Sequence, residues 1–237
     1  RQPNELTSPT AVAQATALQA PQVAALTTDQ VRALTSAAVR VISTAGIAAM
    51  GTDQIEALTS AQAAALTSSQ VAALSTEQLA SIETGDLAAM SSAQLLNIGT
   101  ARISALTTAQ IEGLTTAQVA GLSTAQVANL TTEQIEAIQT ADIRAMTALQ
   151  VAALTTAQTQ ALTTAQVAAI ETADLRSLTT ANVVALTTDQ IVALTTSQTA
   201  SLTTNQIAAL TTEQAAAMAL DDVAALTVLQ ILSLIHI

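Results

Sequence analysis

Along the chain an aliphatic residue returns at every eighth position. From Leu26 the row runs through Leu34, Ile42, Met50, Leu58 and onward to Met218 and Leu226, 26 consecutive positions that are all Leu, Ile or Met, without an insertion or deletion. Leu18 extends it backwards, and all four Met residues lie on it. The repeating unit reads L-T-T-x-Q-V-x-A, with positions denoted a to h. Position f carries a second aliphatic row (Val31, Ile55, Leu79, Ile111, Val127), weakened at Ala63, Thr159, Thr199 and Ala215. Position h is small, mostly Ala, with Gly113, Gly121, Ser177 and Ser201 among the exceptions. Variation and charge collect at d and g (Asp29, Arg32, Arg40, Glu56, Glu112, Arg144), so a is constrained while d and g are free. Such self-similarity at a short fixed period is the signature of a repeat architecture.

An octad fits one helix per unit better than one long helix. Eight residues at about 100° each overshoot two turns by about 80°, so the Leu row would spiral around a continuous helix and never form a stripe. A β-solenoid is the alternative, but a and f would take opposite faces of a strand and the turns lack the usual Gly and Asn. The T-x-x-Q run, by contrast, is a capping box: the Thr hydroxyl accepts from the N3 amide and the Gln side chain reaches back to the N-cap. In Leu26–Leu34 this makes Thr27 the N-cap and Gln30 the N3 residue, with Val31 and Leu34 on one face and Asp29 in the first turn, where the helix dipole favours an anion. Positions b and e also change together. Where e is Asp (Asp86, Asp142, Asp174, Asp222), b is Glu83, Gln139, Glu171 or Ala219. In those units Thr84, Thr140 and Thr172 at c are expected to take over capping, while the last unit, with Leu220, has no substitute.

A single unit cannot stand alone. Burying one Leu and one Val yields about 3–6 kcal/mol, whereas ordering eight backbones costs about 8–16 kcal/mol. Each unit must therefore lean on its neighbours, as in a solenoid. The expected fold is an all-α solenoid of very short helices, one per eight-residue repeat, stacked two per coil in sixteen residues, with three per coil as the alternative. The small h residues would let successive coils approach closely.

Composition narrows function mainly by exclusion. Among 237 residues there is no Phe, Tyr, Trp, Cys or Lys, and the one His is His236. The chain thus has no disulfide framework or thiolate, and too little His for a zinc cluster. A net charge of -11 with six Arg argues against nucleic-acid binding. Polar Thr and Gln in each octad keep every apolar run too short to span a membrane. The only acidic doublet, Asp221-Asp222, reads as a solvated helix start, because no third ligand or Gly-rich loop accompanies it. Glu83/Asp86 and Glu171/Asp174 read as alternative caps and not as a repeated metal site, since the comparable Gln139/Asp142 lacks one carboxylate. The Ser and Thr have no partner base to make a nucleophile. Threonine arrays can order water at ice surfaces, but capping already accounts for them here. No catalytic, cofactor-binding or metal-binding residue and no cofactor is expected, and the chain is expected not to be an enzyme.

The array divides the chain into residues 1–17, read as a linker or leader remnant; 18–231, the octapeptide solenoid; and a foreign-looking tail, 232–237. The tail Leu232-Ser233-Leu234-Ile235-His236-Ile237 resembles a translated transposase adapter from sequencing libraries. That resemblance implies a natural sequence ending near Ile231 in a truncated metagenomic reading frame. Residues 18–231 resemble the L-T-T-x-Q-[VI]-x-A tracts of very large repetitive bacterial proteins, secreted or surface-borne and adhesin-like. Units such as Leu186–Ala193 also look like the first helix of DNA-binding TAL-type repeats, which are several times longer and carry a base-reading loop absent here. The adhesin-like resemblance implies a structural spacer or stalk segment, extracellular or on the bacterial cell surface, without catalysis. Its partners would be neighbouring domains of a longer protein, with lateral or end-to-end self-association and no nucleic acid. The alternative is a protein-binding module that presents its variable d and g positions to a partner.

Overall fold

The computed structural model describes residues 9–234. Each octad forms one helix of about a turn and a half, for example Thr28–Ala33, Ser36–Val41 and Thr44–Ala48, and no strand occurs among the described residues. The β-solenoid is thereby excluded. The local reason is the anticipated cap: the Thr27 hydroxyl accepts from the Gln30 amide at 3.2 Å, and the Thr27 amide donates to Gln30 Oε1 at 2.9 Å. The helix stops because the a residue is extended (Leu34 φ -64°, ψ 141°), its amide closing a last bond to the Val31 carbonyl. The next Thr then starts the following helix.

The chain divides into two compact units, residues 1–121 and 122–237. In the first, each helix packs on the third one before it. Pro9–Ala17, Ser36–Val41, Ser60–Ala65, Thr84–Ala89 and Thr108–Glu112 form one stack. A second runs from Ala20–Ala24 through Thr44–Ala48, Ser68–Ala73 and Ser92–Leu96 to Thr116–Ala120. A third comprises Thr28–Ala33, Thr52–Glu56, Thr76–Ala80 and the 3-10 turn Ile103–Ala105. The second unit repeats this order, with stacks beginning at Thr124–Ala128, Thr132–Ala137 and Thr140–Ala145.

Each coil therefore holds three helices and twenty-four residues, and the two-per-coil expectation is corrected. The reason lies in the junction. Two helices per coil would require the chain to reverse at every junction, which takes a short loop of its own. Here a single extended a residue separates one helix from the next N-cap, and it turns the chain only part of the way round. Three sides close the circuit. The a and f rows fill the interior between them: Val71, Leu79, Leu95 and Ile135 are fully buried, and Leu66, Leu74 and Leu122 nearly so. Helix Pro9–Ala17 joins the first stack although it lies in the stretch read as a linker, so stacking begins before the Leu row does. Residues 1–8 and 235–237, including His236 and half of the adapter-like tail, lie outside the described residues.

Candidate functional site: the glutamine bridge and the acidic units

The most repeated polar feature is the Gln at e, which is buried wherever it stands from Gln54 onward; Gln118 is 2% exposed. Its Oε1 accepts from the N-cap amide, as the capping box requires: Thr115 N–H donates to Gln118 at 2.8 Å. Its Nε2 does a second job that the capping box does not predict. It donates to the carbonyls of Leu87 at 2.8 Å and Met90 at 2.7 Å, 31 and 28 residues earlier. The same pair of separations recurs for Gln62, Gln70, Gln78, Gln110, Gln166, Gln190 and Gln214. One amide thus caps the start of its own helix and the open C-terminal carbonyls at a corner of the preceding coil, using its acceptor and both donors. The residue type carried the missed signal. A capping box alone accepts Glu or Gln, yet Glu never stands at e, because it would bring no donor.

Two octads test this reading. Asn182 stands at e and still reaches the Leu154 carbonyl, 28 residues earlier, at 2.7 Å. Arg102 also stands at e and donates to the Leu74 carbonyl at 2.6 Å, again 28 residues earlier. A guanidinium has no acceptor, so it cannot close the capping box. The Gly99 backbone there is left-handed (φ 88°), and only the 3-10 turn Ile103–Ala105 forms.

The acidic units depart differently. Glu83, Gln139, Glu171 and Ala219 keep the N-cap position without a side-chain cap bond. Thr84, Thr140 and Thr172 do not take over, which corrects the expectation. They are already the first helical residues, and an N-cap needs the extended backbone that stacking has assigned to b. Asp86 is buried and accepts from Ser60 Oγ of the preceding coil at 2.6 Å. Glu171 pairs with Arg144 at 3.5 Å. The Asp174 carboxyl is held above its ordinary range, first by burial and then by the Glu171 charge beside it. By contrast, the exposed Glu77 and Glu133 at d are held below theirs, by their own backbone amides and then by the hydroxyls of Ser75 and Thr76, or of Thr131 and Thr132. Of the Asp221-Asp222 doublet, Asp222 is buried while Asp221 faces solvent, so the two do not form one site. Among the described residues no group of three or more His, Asp or Glu side chains comes together as a metal cluster.

Open grooves follow the corners of the coils. One is lined by Glu56, Ser81, Ile82, Glu83, Thr107 and Gln110, another by Leu26, Thr27, Gly51, Asp53 and Gln54. Their walls are the same cap elements at equivalent octad positions, so the grooves are a by-product of the repeat.

A family model for the ALTTAQ repeat matches residues 23–60, 37–68, 79–116, 111–137, 135–169 and 167–204. The chain belongs to the ALTTAQ repeat family. The name spells positions h, a, b, c, d and e, which are the small contact residue, the core aliphatic, the cap, the first helical residues and the bridging Gln. The fourth matched ALTTAQ segment begins at Ile111, past the Gly99–Arg102 irregularity, and the third runs across it. A search of the curated proteins finds no match. No described helix is long and apolar enough to cross a membrane.

Proposed function

We propose that this chain is a structural spacer or stalk segment of a large repetitive bacterial surface or secreted protein, with no catalysis of its own. The observation that carries the reading is the equivalence of the octads. The Gln bridge recurs on all three stacks with the same residue separations, so what holds a unit in place does not depend on its d and g residues or on which side it occupies. A spacer needs units of this interchangeable kind. The surface and secreted setting rests on the resemblance to adhesin-like tracts. The rival reading, a binding module, would favour a contiguous patch of anchor residues. Before the last two octads the exposed aliphatics do not gather on one side: Leu149, Val184 and Val192 sit on three different stacks, and the chain has no aromatic residue.

Deleting Thr147–Ile170, one whole coil in register, tests the spacer reading against a deletion of Thr147–Gln158, which breaks the octad. The first variant is expected to keep its helical circular dichroism and cooperative melting while its maximum dimension in small-angle scattering falls. The second loses stability at the joint. A whole-coil deletion that unfolds the chain, or that leaves the maximum dimension unchanged, contradicts the proposal.

A further inference from the structure

The octad that starts at Ile98 holds donors without acceptors. In a closed capping box the b amide donates to the e side chain, as Thr107 does to Gln110 at 2.8 Å. Glycine at b does not prevent this, because the Gly51 amide donates to Gln54 Oε1 at 2.8 Å. Gly99 also stands at b, but its e residue is Arg102, which has no acceptor to offer. The amides of Gly99, Thr100 and Ala101 find no acceptor among the described residues.

The guanidinium adds an independent observation. Arg102 uses Nη1 on the Leu74 carbonyl at 2.6 Å. Its other edge, the parallel N–H bonds of Nε and Nη2, has no acceptor among the described residues. That edge lies over Gly99: a Cβ added there would fall 3.5 Å from Nη2 and 3.6 Å from Nε. A side chain at 99 would therefore stand against the fork, and glycine leaves the space open. The charge is also uncompensated. Arg32 and Arg144 pair with Asp29 and Glu171, whereas the half-buried Arg102 joins no ion pair among the described residues. It is the only charged residue between Asp86 and Glu112. Glu77, the one carboxylate on the stacked helix Thr76–Ala80, does not pair with it.

We propose that Gly99, Thr100, Ala101 and Arg102 form a binding site for a tetrahedral oxyanion, a phosphate or sulfate group. A guanidinium fork takes two oxygens of such a group side by side. Successive amides in a turn with a left-handed residue, here Gly99 at φ 88°, supply a concave set of donors for the others. The bound group provides what the octad lacks: an acceptor for the b amide and a counter-charge for Arg102. A carboxylate has two oxygens, which the fork alone occupies, so the site favours the tetrahedral group. Thr100 and Ala101 are exposed, which leaves room for a free ion or for a group carried on a larger molecule.

Amide NMR of the full chain, isotope-labelled only at glycine nitrogen, tests this with six reporters. The Gly99 signal is the one missing from Gly99→Thr with Arg102→Gln. Titration with inorganic phosphate at constant pH and ionic strength should shift that signal saturably while Gly46, Gly51 and Gly85 stay still. Inorganic sulfate should act alike and acetate should not. Methyl phosphate separates the sources: a matching shift supports a group carried as an ester, and its loss supports a free ion. Arg102→Gln is expected to stay folded by circular dichroism, close onto the Gly99 amide as Gln54 does onto Gly51, and lose the response. Arg102→Lys keeps the charge without the fork and should weaken it. A Gly99 signal that does not respond, shifts shared by every glycine, an equal response to acetate, or a response that survives Arg102→Gln overturns the proposal.

Discussion

Replacing Gln118 by Glu keeps size and shape while removing the two donors, so it isolates the bridge. The acceptor side of the cap survives, because a carboxylate still accepts the Thr115 amide that now donates at 2.8 Å. The bonds to Leu87 and Met90, at 2.8 and 2.7 Å, are lost. Their costs differ. The Leu87 carbonyl keeps the Met90 amide at 3.1 Å, so its lost bond costs about 1 kcal/mol. The Met90 carbonyl loses its side-chain donor and, left unsatisfied, costs about 1–3 kcal/mol. The carboxylate also faces carbonyl dipoles in a site only 2% exposed, which adds to both. Gln118→Glu should therefore destabilise by at least about 2–4 kcal/mol at neutral pH, read by urea titration. That environment raises the pKa of the introduced Glu above its unfolded value. The penalty is therefore smallest below the unfolded pKa, where the neutral acid also regains one donor, and grows as pH rises through the folded pKa. Ala117→Glu, one residue earlier and exposed, puts the same charge in the same first turn and should be neutral or stabilising by about 0.3–1 kcal/mol. Equal effects at 117 and 118, or a Gln118→Glu penalty independent of pH, would refute the bridge as the coil-to-coil bond.

Two further outcomes follow from the units that break the pattern. Asp174→Asn should stabilise by about 1 kcal/mol at neutral pH. It removes a carboxylate whose pKa is raised by burial and by Glu171, and it supplies a donor of the kind Asn182 gives Leu154. Because the wild-type penalty is absent below the unfolded Asp pKa, the electrostatic part of that gain should shrink as pH is lowered, leaving the hydrogen-bond part in the acid limb of a pH–stability curve. Gly99→Thr alone should cost about 1–2 kcal/mol, since its φ of 88° is left-handed. Combined with Arg102→Gln it should instead stabilise, because the pair rebuilds a capping box worth about 1 kcal/mol; a double-mutant cycle showing simple additivity would contradict that origin for the irregular turn.

The sequence carried most of the local structure and little of the coil. The Thr–Gln cap, the a and f core and the small h row all follow from interactions within nine residues, and each stands in the structure where the pattern put it. The number of helices per coil is different. Identical octads repeat on every side, so the chain contains no periodicity of sixteen or twenty-four to read; only departures such as Thr84 against Gly113 and Arg102 against Leu74 report the distance between coils. The bridging role of Gln was hidden because the capping box already explained it. The acidic units were read as alternative caps, with the cap placed at Thr84, Thr140 and Thr172 on local grounds, whereas their N-caps carry no side-chain bond. Stacking on the neighbouring coil fixes where those helices start, and no window of one octad contains that constraint.

Three helices make a coil, so residues twenty-four apart must be neighbours. The chain has no Cys, so pairs can be placed at will on the exposed g positions Ala48, Ala64 and Ala72. Ala48 and Ala72 lie on stacked helices Thr44–Ala48 and Ser68–Ala73, whereas Ala64 lies on Ser60–Ala65 in another stack. A thiol cross-linker spanning about one interhelix distance, about 8–10 Å, should join the 48/72 cysteine pair rapidly in the native protein. It should leave 48/64 unjoined, and urea should abolish the difference. Preferential joining of 48/64, sixteen residues apart, would show two helices per coil and contradict the architecture described.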